Sequence, residues 1–153
     1  MDEQGRLSRK DNDLFFTCAL IEYISRKTKN VRADIVTELG RENVSKIYEL
    51  ADIYHSDNID RVCDDFISAT GIETGNFDNV SSCSYAIPSF WDIGKVYKRL
   101  IKMVSEKENL EVIDALFEVY TSFISSKIDD YNSSFYYENP TYIFDCYNAK
   151  MML

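Results

Sequence analysis

The sequence is poor in the residues that break chains into short strands. Its 153 residues include only five glycines and two prolines. A β-sandwich needs a turn signal about every 8–12 residues, so this scarcity argues against one and suits long helices on short connections. Histidine is scarcer still. The single imidazole, His55, is the only histidine available as general base or as a nucleophile's partner, the roles histidine most often fills. The four cysteines, Cys18, Cys63, Cys83 and Cys146, form no C-x₂₋₄-C pair, and no second histidine exists for an H-x₃₋₅-H pair. Zinc-type ligation fails on spacing. No glycine-rich phosphate cradle is present, and no cofactor or metal is implied. No apolar run approaches the roughly 20 residues of a membrane span. The charged opening lacks the apolar stretch of a secretory signal. The reading is of a cytoplasmic chain with reduced thiols.

Positive charge is also in deficit. The formal net charge is −9, whereas affinity for nucleic acid comes largely from cations that displace counterions. Nucleic acid is therefore not the expected partner. The imbalance is uneven: residues 1–46 hold nine Lys/Arg and eight Asp/Glu, and residues 47–153 hold eight and 18. Arg26, Lys27, Lys29, Arg32 and Arg41 could form a local basic face, though they read more simply as a solvated helix end.

What the chain does have is helical periodicity. Residues 1–11 are polar and read as a disordered tail, with one domain over 12–153. From Asn12 the apolar positions Phe15, Phe16, Ala19, Leu20, Tyr23 and Ile24 make the wide stripe of a buried helix. A short helix over 32–39 should stop at Gly40. Further helices are predicted over 41–55, over 59–70 behind the cap Ser56-Asp57-Asn58, over 89–107, over 109–131, and over 140–150 with Asn139 and Pro140 at its start. Residues 72–88 have no helical period. Their Phe77, Val80, Tyr85 and Ile87 favour an ordered loop packed on the helices, and a loop this long is often functional. The fold expected is an all-α, single-domain bundle of six or seven helices with one long ordered loop.

Candidate chemistry is sparse. Asp64-Asp65 and Asp129-Asp130 are neighbours that diverge by about 100° on a helix, so neither pair converges on one atom; both read as solvated. Gly94, inside a strong helical pattern, costs about 1 kcal/mol relative to Ala and points to a close approach by another segment. Aromatics are dense late in the chain: Phe90, Trp91 and Tyr97, then Tyr131, Phe135, Tyr136, Tyr137, Tyr142, Phe144 and Tyr147. Core packing accounts for some of them, but tyrosine and tryptophan are also enriched at binding surfaces.

Two stretches carry a resemblance. Phe15-Phe16 through Glu22-Tyr23-Ile24, with Ile47-Tyr48-Glu49-Leu50-Ala51-Asp52-Ile53-Tyr54-His55, resembles a small bacterial family of helical domains of unassigned function. Pro88-Ser89-Phe90-Trp91-Asp92-Ile93-Gly94-Lys95-Val96-Tyr97 and Ser133-Ser134-Phe135-Tyr136-Tyr137-Glu138-Asn139-Pro140 resemble its continuation in longer members. The likeness spans about 12–145. Genes of that family tend to sit beside those of predicted ADP-ribosyltransferase-like proteins, which implies toxin–antitoxin pairing. It carries no functional residue onto this chain.

Two functions follow as expectations. The first is a non-enzymatic protein-interaction module, an antitoxin or immunity-type partner of a toxic enzyme, with Trp91, Tyr136 and Tyr137 as contacts. Its acidic surface would suit a basic partner, and a homo-oligomer is compatible with it. The second is a small-ligand binder or enzyme with its site between the 72–88 loop and the helix over 89–107, using His55, Asp92, Lys95 and Tyr97.

Overall fold

The computed structural model describes the backbone from Glu3 to Leu153 and the side chains from Ser8 onward. Helix α1 (Glu3–Thr28) is the axis of the domain. Its stripe is so wide that Leu14, Phe16, Cys18, Ala19, Leu20, Ile21 and Ile24 are all buried. The helix reaches back into the segment that the sequence assigns to a disordered tail; Met1 and Asp2 lie outside the described residues. Charge holds the extension: the Asp11 carboxylate is 3.2 Å from Lys98 and 3.1 Å from Lys102.

Helix α2 (Arg32–Glu49) is interrupted where expected, at Gly40, whose φ of 76° leaves helical geometry. Glycine meets that positive φ without a Cβ penalty. The chain then runs through α3 (Ala51–His55) and α4 (Ile59–Thr70). The Asn58 side chain caps α4, accepting from the amides of Asp60 and Arg61, and Gly71 closes it with φ 70°.

The 72–88 loop is ordered against the bundle. Gly75 and Phe77 amides donate to the Thr28 and Lys29 carbonyls at 2.8 and 2.9 Å, and Asn79 is buried. Helix α5 (Phe90–Glu108) opens with a reciprocal cap. The Ser89 hydroxyl accepts from the Asp92 amide, and the Asp92 carboxylate accepts from the Ser89 amide, both at 3.0 Å. Its principal neighbour is α1. A Cβ on Gly94 would stand 2.8 Å from the Ala19 backbone nitrogen, so the glycine does mark a close approach.

The helix expected over 109–131 is two: α6 (Val112–Tyr120) and α7 (Phe123–Ile128). The Ser122 hydroxyl accepts from the Ile124 amide and begins the second. A single 3₁₀ turn (Phe135–Tyr137) precedes α8 (Pro140–Ala149), capped by Asn139 with proline in the first turn. The described residues are all-helical, with no strands, and form one compact domain built as a helical bundle. None of these helices is long and apolar enough to cross a membrane.

Candidate functional site: a groove walled by α5 and the C-terminal segment

Two polar regions flank α5. On its buried side, Glu22 of α1 is 1% exposed and Arg32 of α2 is fully buried. Arg32 Nε and Nη2 donate to the two Glu22 oxygens at 2.9 and 2.7 Å, a two-point ion pair. Arg26 Nε donates to Glu22 Oε2 at 2.7 Å, and the Tyr131 hydroxyl donates to the same oxygen. Burial works against this carboxylate. The two guanidiniums and Tyr131 outweigh it and hold its pKa below the usual range.

The cluster continues into the loop. Arg32 Nη2 donates to Asn79 Oδ1 at 3.1 Å, and Asn79 Nδ2 donates to the Asp129 carbonyl at 2.8 Å. Asp129 is 2% exposed, so the expectation of a solvated Asp129-Asp130 pair holds only for Asp130. The Tyr97 hydroxyl donates to Asp129 Oδ1 at 2.7 Å, and the Ser125 hydroxyl donates to Oδ2 at 3.3 Å. Burial, aided by the neighbouring Glu22 charge, pushes the Asp129 carboxyl up to about 7, although Arg32 pulls the other way. Tyr97 stacks on Tyr120 with ring centroids 4.1 Å apart. The Tyr120 hydroxyl is the one buried side-chain polar atom among the described residues without a hydrogen-bond partner.

This cluster dismantles the basic face considered for residues 26–41. Arg32 and Arg26 turn into the network, and Lys27 pairs with Asp60 and Asp64 at 2.7 Å each. Arg26 also reaches the loop, with Nη2 donating to the Pro88 carbonyl at 2.7 Å. The buried cluster thereby anchors one wall of the second region.

That region is a half-open groove of about 540 Å³. Ala86, Ile87 and Pro88 form one wall and the 136–140 turn the other; Val96, Leu100 and Ile143 make its floor apolar. The outward face of α5 contributes Asp92, Lys95 and Arg99. Asp92 is committed to the Ser89 cap. Lys95 and Arg99 have no ion-pair or hydrogen-bond partner among the described residues. Other α5 cations are occupied: Lys98 and Lys102 face Asp11, and the Lys107 ammonium lies 5.7 Å over the Phe144 ring. Tyr137 stands on the rim, 71% exposed, while Tyr136 is 8% exposed and packs edge-on against it.

The groove therefore joins residues from both candidate sets, Asp92 and Lys95 with Tyr136 and Tyr137, and adds Arg99 and Ile143. Tyr97 is buried behind it. Trp91 and His55 lie elsewhere, in an aromatic cluster: the His55 ring is 5.2 Å from Phe16 and 5.6 Å from Trp91. His55 closes α3. No group of three or more metal-ligating side chains is gathered among the described residues. With the geometry in view, comparison with family models, with curated proteins and with solved structures yields no significant match.

Proposed function

We propose that the protein is a non-enzymatic interaction module and that the groove beside α5 is its binding face. The observation that supports this is the pairing of an apolar floor with exposed Tyr137 and Ile87 and with two cations that have no partner among the described residues. Interfaces concentrate tyrosine and arginine around apolar centres. The chain's one imidazole lies in a different cluster, against Phe16 and Trp91. A cytoplasmic antitoxin or immunity-type partner of a toxic enzyme, the finer reading that the family resemblance implies, would present such a face. The four free thiols suit a reducing compartment.

The test is a tagged pull-down at moderate salt, with nuclease, comparing the wild type with Tyr137→Ala/Ile143→Arg and with Trp91→Ala. A stoichiometric protein partner lost by the groove variant and kept by Trp91→Ala is the expected result. A partner held equally by the groove variant would overturn this placement. The volume, inside the 300–1,000 Å³ of ordinary ligand clefts, favours one second reading. If no protein is captured and a small organic acid raises the melting temperature of wild type alone, the groove is a small-ligand site.

A further inference from the structure

Resting on the groove as binding face, we infer that its occupant is an acidic, apolar segment of a partner polypeptide, with an Asp or Glu carboxylate between Lys95 and Arg99 and a neighbouring apolar side chain on the Leu100–Ile143 floor.

The argument starts from charge. In a chain of net charge −9 a basic partner would be the expectation, yet on the α5 wall of the groove Lys95 and Arg99 have no ion-pair partner among the described residues. The lining's carboxylate other than Asp92, Glu138, is likewise without one and sits on the opposite 136–140 wall. Lys95 and Arg99 are four residues apart on α5, so they share a face one turn apart. Like charges at that spacing repel by a few tenths of a kcal/mol in an isolated helix, and Asp92 is held by the cap rather than offered to them. A bound carboxylate relieves that repulsion and gains charge-assisted hydrogen bonds, with the guanidinium able to grip it at two points. The long-range field of the acidic surface does not forbid this, because exposed charges more than about 8 Å away are screened at physiological salt.

The apolar part of the recognition follows from position. Leu100 and Ile143, 2% and 3% exposed, line the same groove as the two cations, so an occupant that reaches the cations also meets apolar side chains. A polypeptide fits better than a free acid because the apolar surface continues past the groove. Ile87 is 49% exposed, the adjoining Tyr85 is 70% exposed, and Tyr137 stands on the opposite rim. A small acid filling the groove would leave Tyr85 and the outer face of Tyr137 in water; an extended or helical segment covers them.

The experiment is selection of a displayed random-peptide library on the full-length chain, followed by fluorescence-anisotropy titration of the enriched peptides. Enrichment of Asp or Glu beside aromatic or aliphatic residues is expected. Replacing that acid by its amide should weaken binding about tenfold, in line with a lost hydrogen bond to a charged group. Lys95→Glu/Arg99→Glu should lose the acidic peptide to the same degree and gain its lysine-substituted version. Both positions are exposed, and an unchanged urea midpoint establishes that the variant is folded. Neutral or basic enriched peptides, indifferent to the double substitution, overturn the inference. If those same peptides are lost on Ile143→Arg, the groove reading stands and only its acidic occupant falls. If Ile143→Arg changes nothing either, the groove is not the binding face. No enriched peptide, with phenylpropionate binding in a Lys95- and Arg99-dependent way, also overturns the polypeptide occupant.

Discussion

Arg32 and Arg99 are the same residue type in the two polar regions that flank α5, and the fold treats them in opposite ways. Arg32 is fully buried and its guanidinium donates to Glu22, Asn79 and the Asn30 carbonyl. Arg99 lines an open groove beside Lys95 with no partner among the described residues. Water explains the difference. A buried charge is tolerated only when its neighbours replace its hydration, so the Glu22 cluster had to be completed within the chain. A charge at a groove rim keeps its water until something displaces it, so it can be left incomplete at little cost. Completed polar clusters therefore report on how the domain is held, and incomplete ones on what it meets.

The most direct way to break that comparison is to remove each guanidinium in turn. Arg32→Met leaves the Glu22 carboxylate buried with Arg26 as its remaining cation. Losing one partner of a buried pair typically costs about 3–5 kcal/mol. Arg99→Met breaks no contact with a described residue's polar group and should stay within about 0.5 kcal/mol. Urea denaturation of both variants at neutral pH decides it. Equal midpoints would mean that the buried cluster is no more important to folding than the groove rim.

A subtler probe is pH. The Asp129 carboxyl is pushed up to about 7 by burial and by the Glu22 charge, while an unfolded aspartate titrates near 3.9. A folded pKa above the unfolded one means that the native state holds the proton more tightly. The contribution of Asp129 is thus fully present below about pH 4 and lost as pH rises to about 7, the sense required by linkage. Glu22 runs the other way: its lowered pKa gives stability that disappears in acid. Asp129→Asn is neutral at every pH; its carbonyl can accept from Tyr97 and its amide can donate to Ser125. Subtracting the variant's urea stability from the wild type's isolates Asp129. That difference should fall between about pH 4 and 7 and level off above. A flat difference would show that Asp129 titrates like an exposed acid.

These contrasts were only partly visible in the sequence. Helix ends were legible at the side-chain caps Asn58, Ser89 and Asn139 and at the glycines Gly40 and Gly71, but not at the Ser122 cap. The break between α6 and α7 was hidden because Phe117, Tyr120, Ile124 and Ile128 keep the apolar period running across it. Asp92, Lys95, Tyr136 and Tyr137 stood out by composition and meet in the groove. Arg99 looked like any residue of a polar helix face, since whether a cation is paired depends on Asp11, 88 positions away, reaching Lys98 and Lys102 instead. The buried cluster was illegible for the same reason. Glu22 does fall on the Cys18–Ser25 side of the apolar stripe, the one local signal available. Its partners come from α2, the loop and Tyr131, and only tertiary structure assembles them.

Helix α5 belongs to both regions, with Tyr97 in the buried cluster and Lys95 in the groove, and the smallest of the expected effects tests what holds it between them. Gly94 lies on the buried side, where an added methyl would meet the Ala19 nitrogen at 2.8 Å, its Cα at 2.9 Å and its Cβ at 3.0 Å. Two of those atoms are backbone of the central helix and cannot rotate away. Gly94→Ala should gain the roughly 1 kcal/mol of helix propensity that glycine forgoes, but overpacking of this kind typically costs about 1–3 kcal/mol. The clash wins if α1 and α5 are as rigidly apposed as their backbones indicate. The net loss would then be about 1 kcal/mol, small enough to leave the domain folded and its urea midpoint measurable. A midpoint that rises instead would mean that the helices part easily, and that the Tyr97–Asp129 contact, more than the glycine contact, sets the position from which α5 presents Lys95 and Arg99.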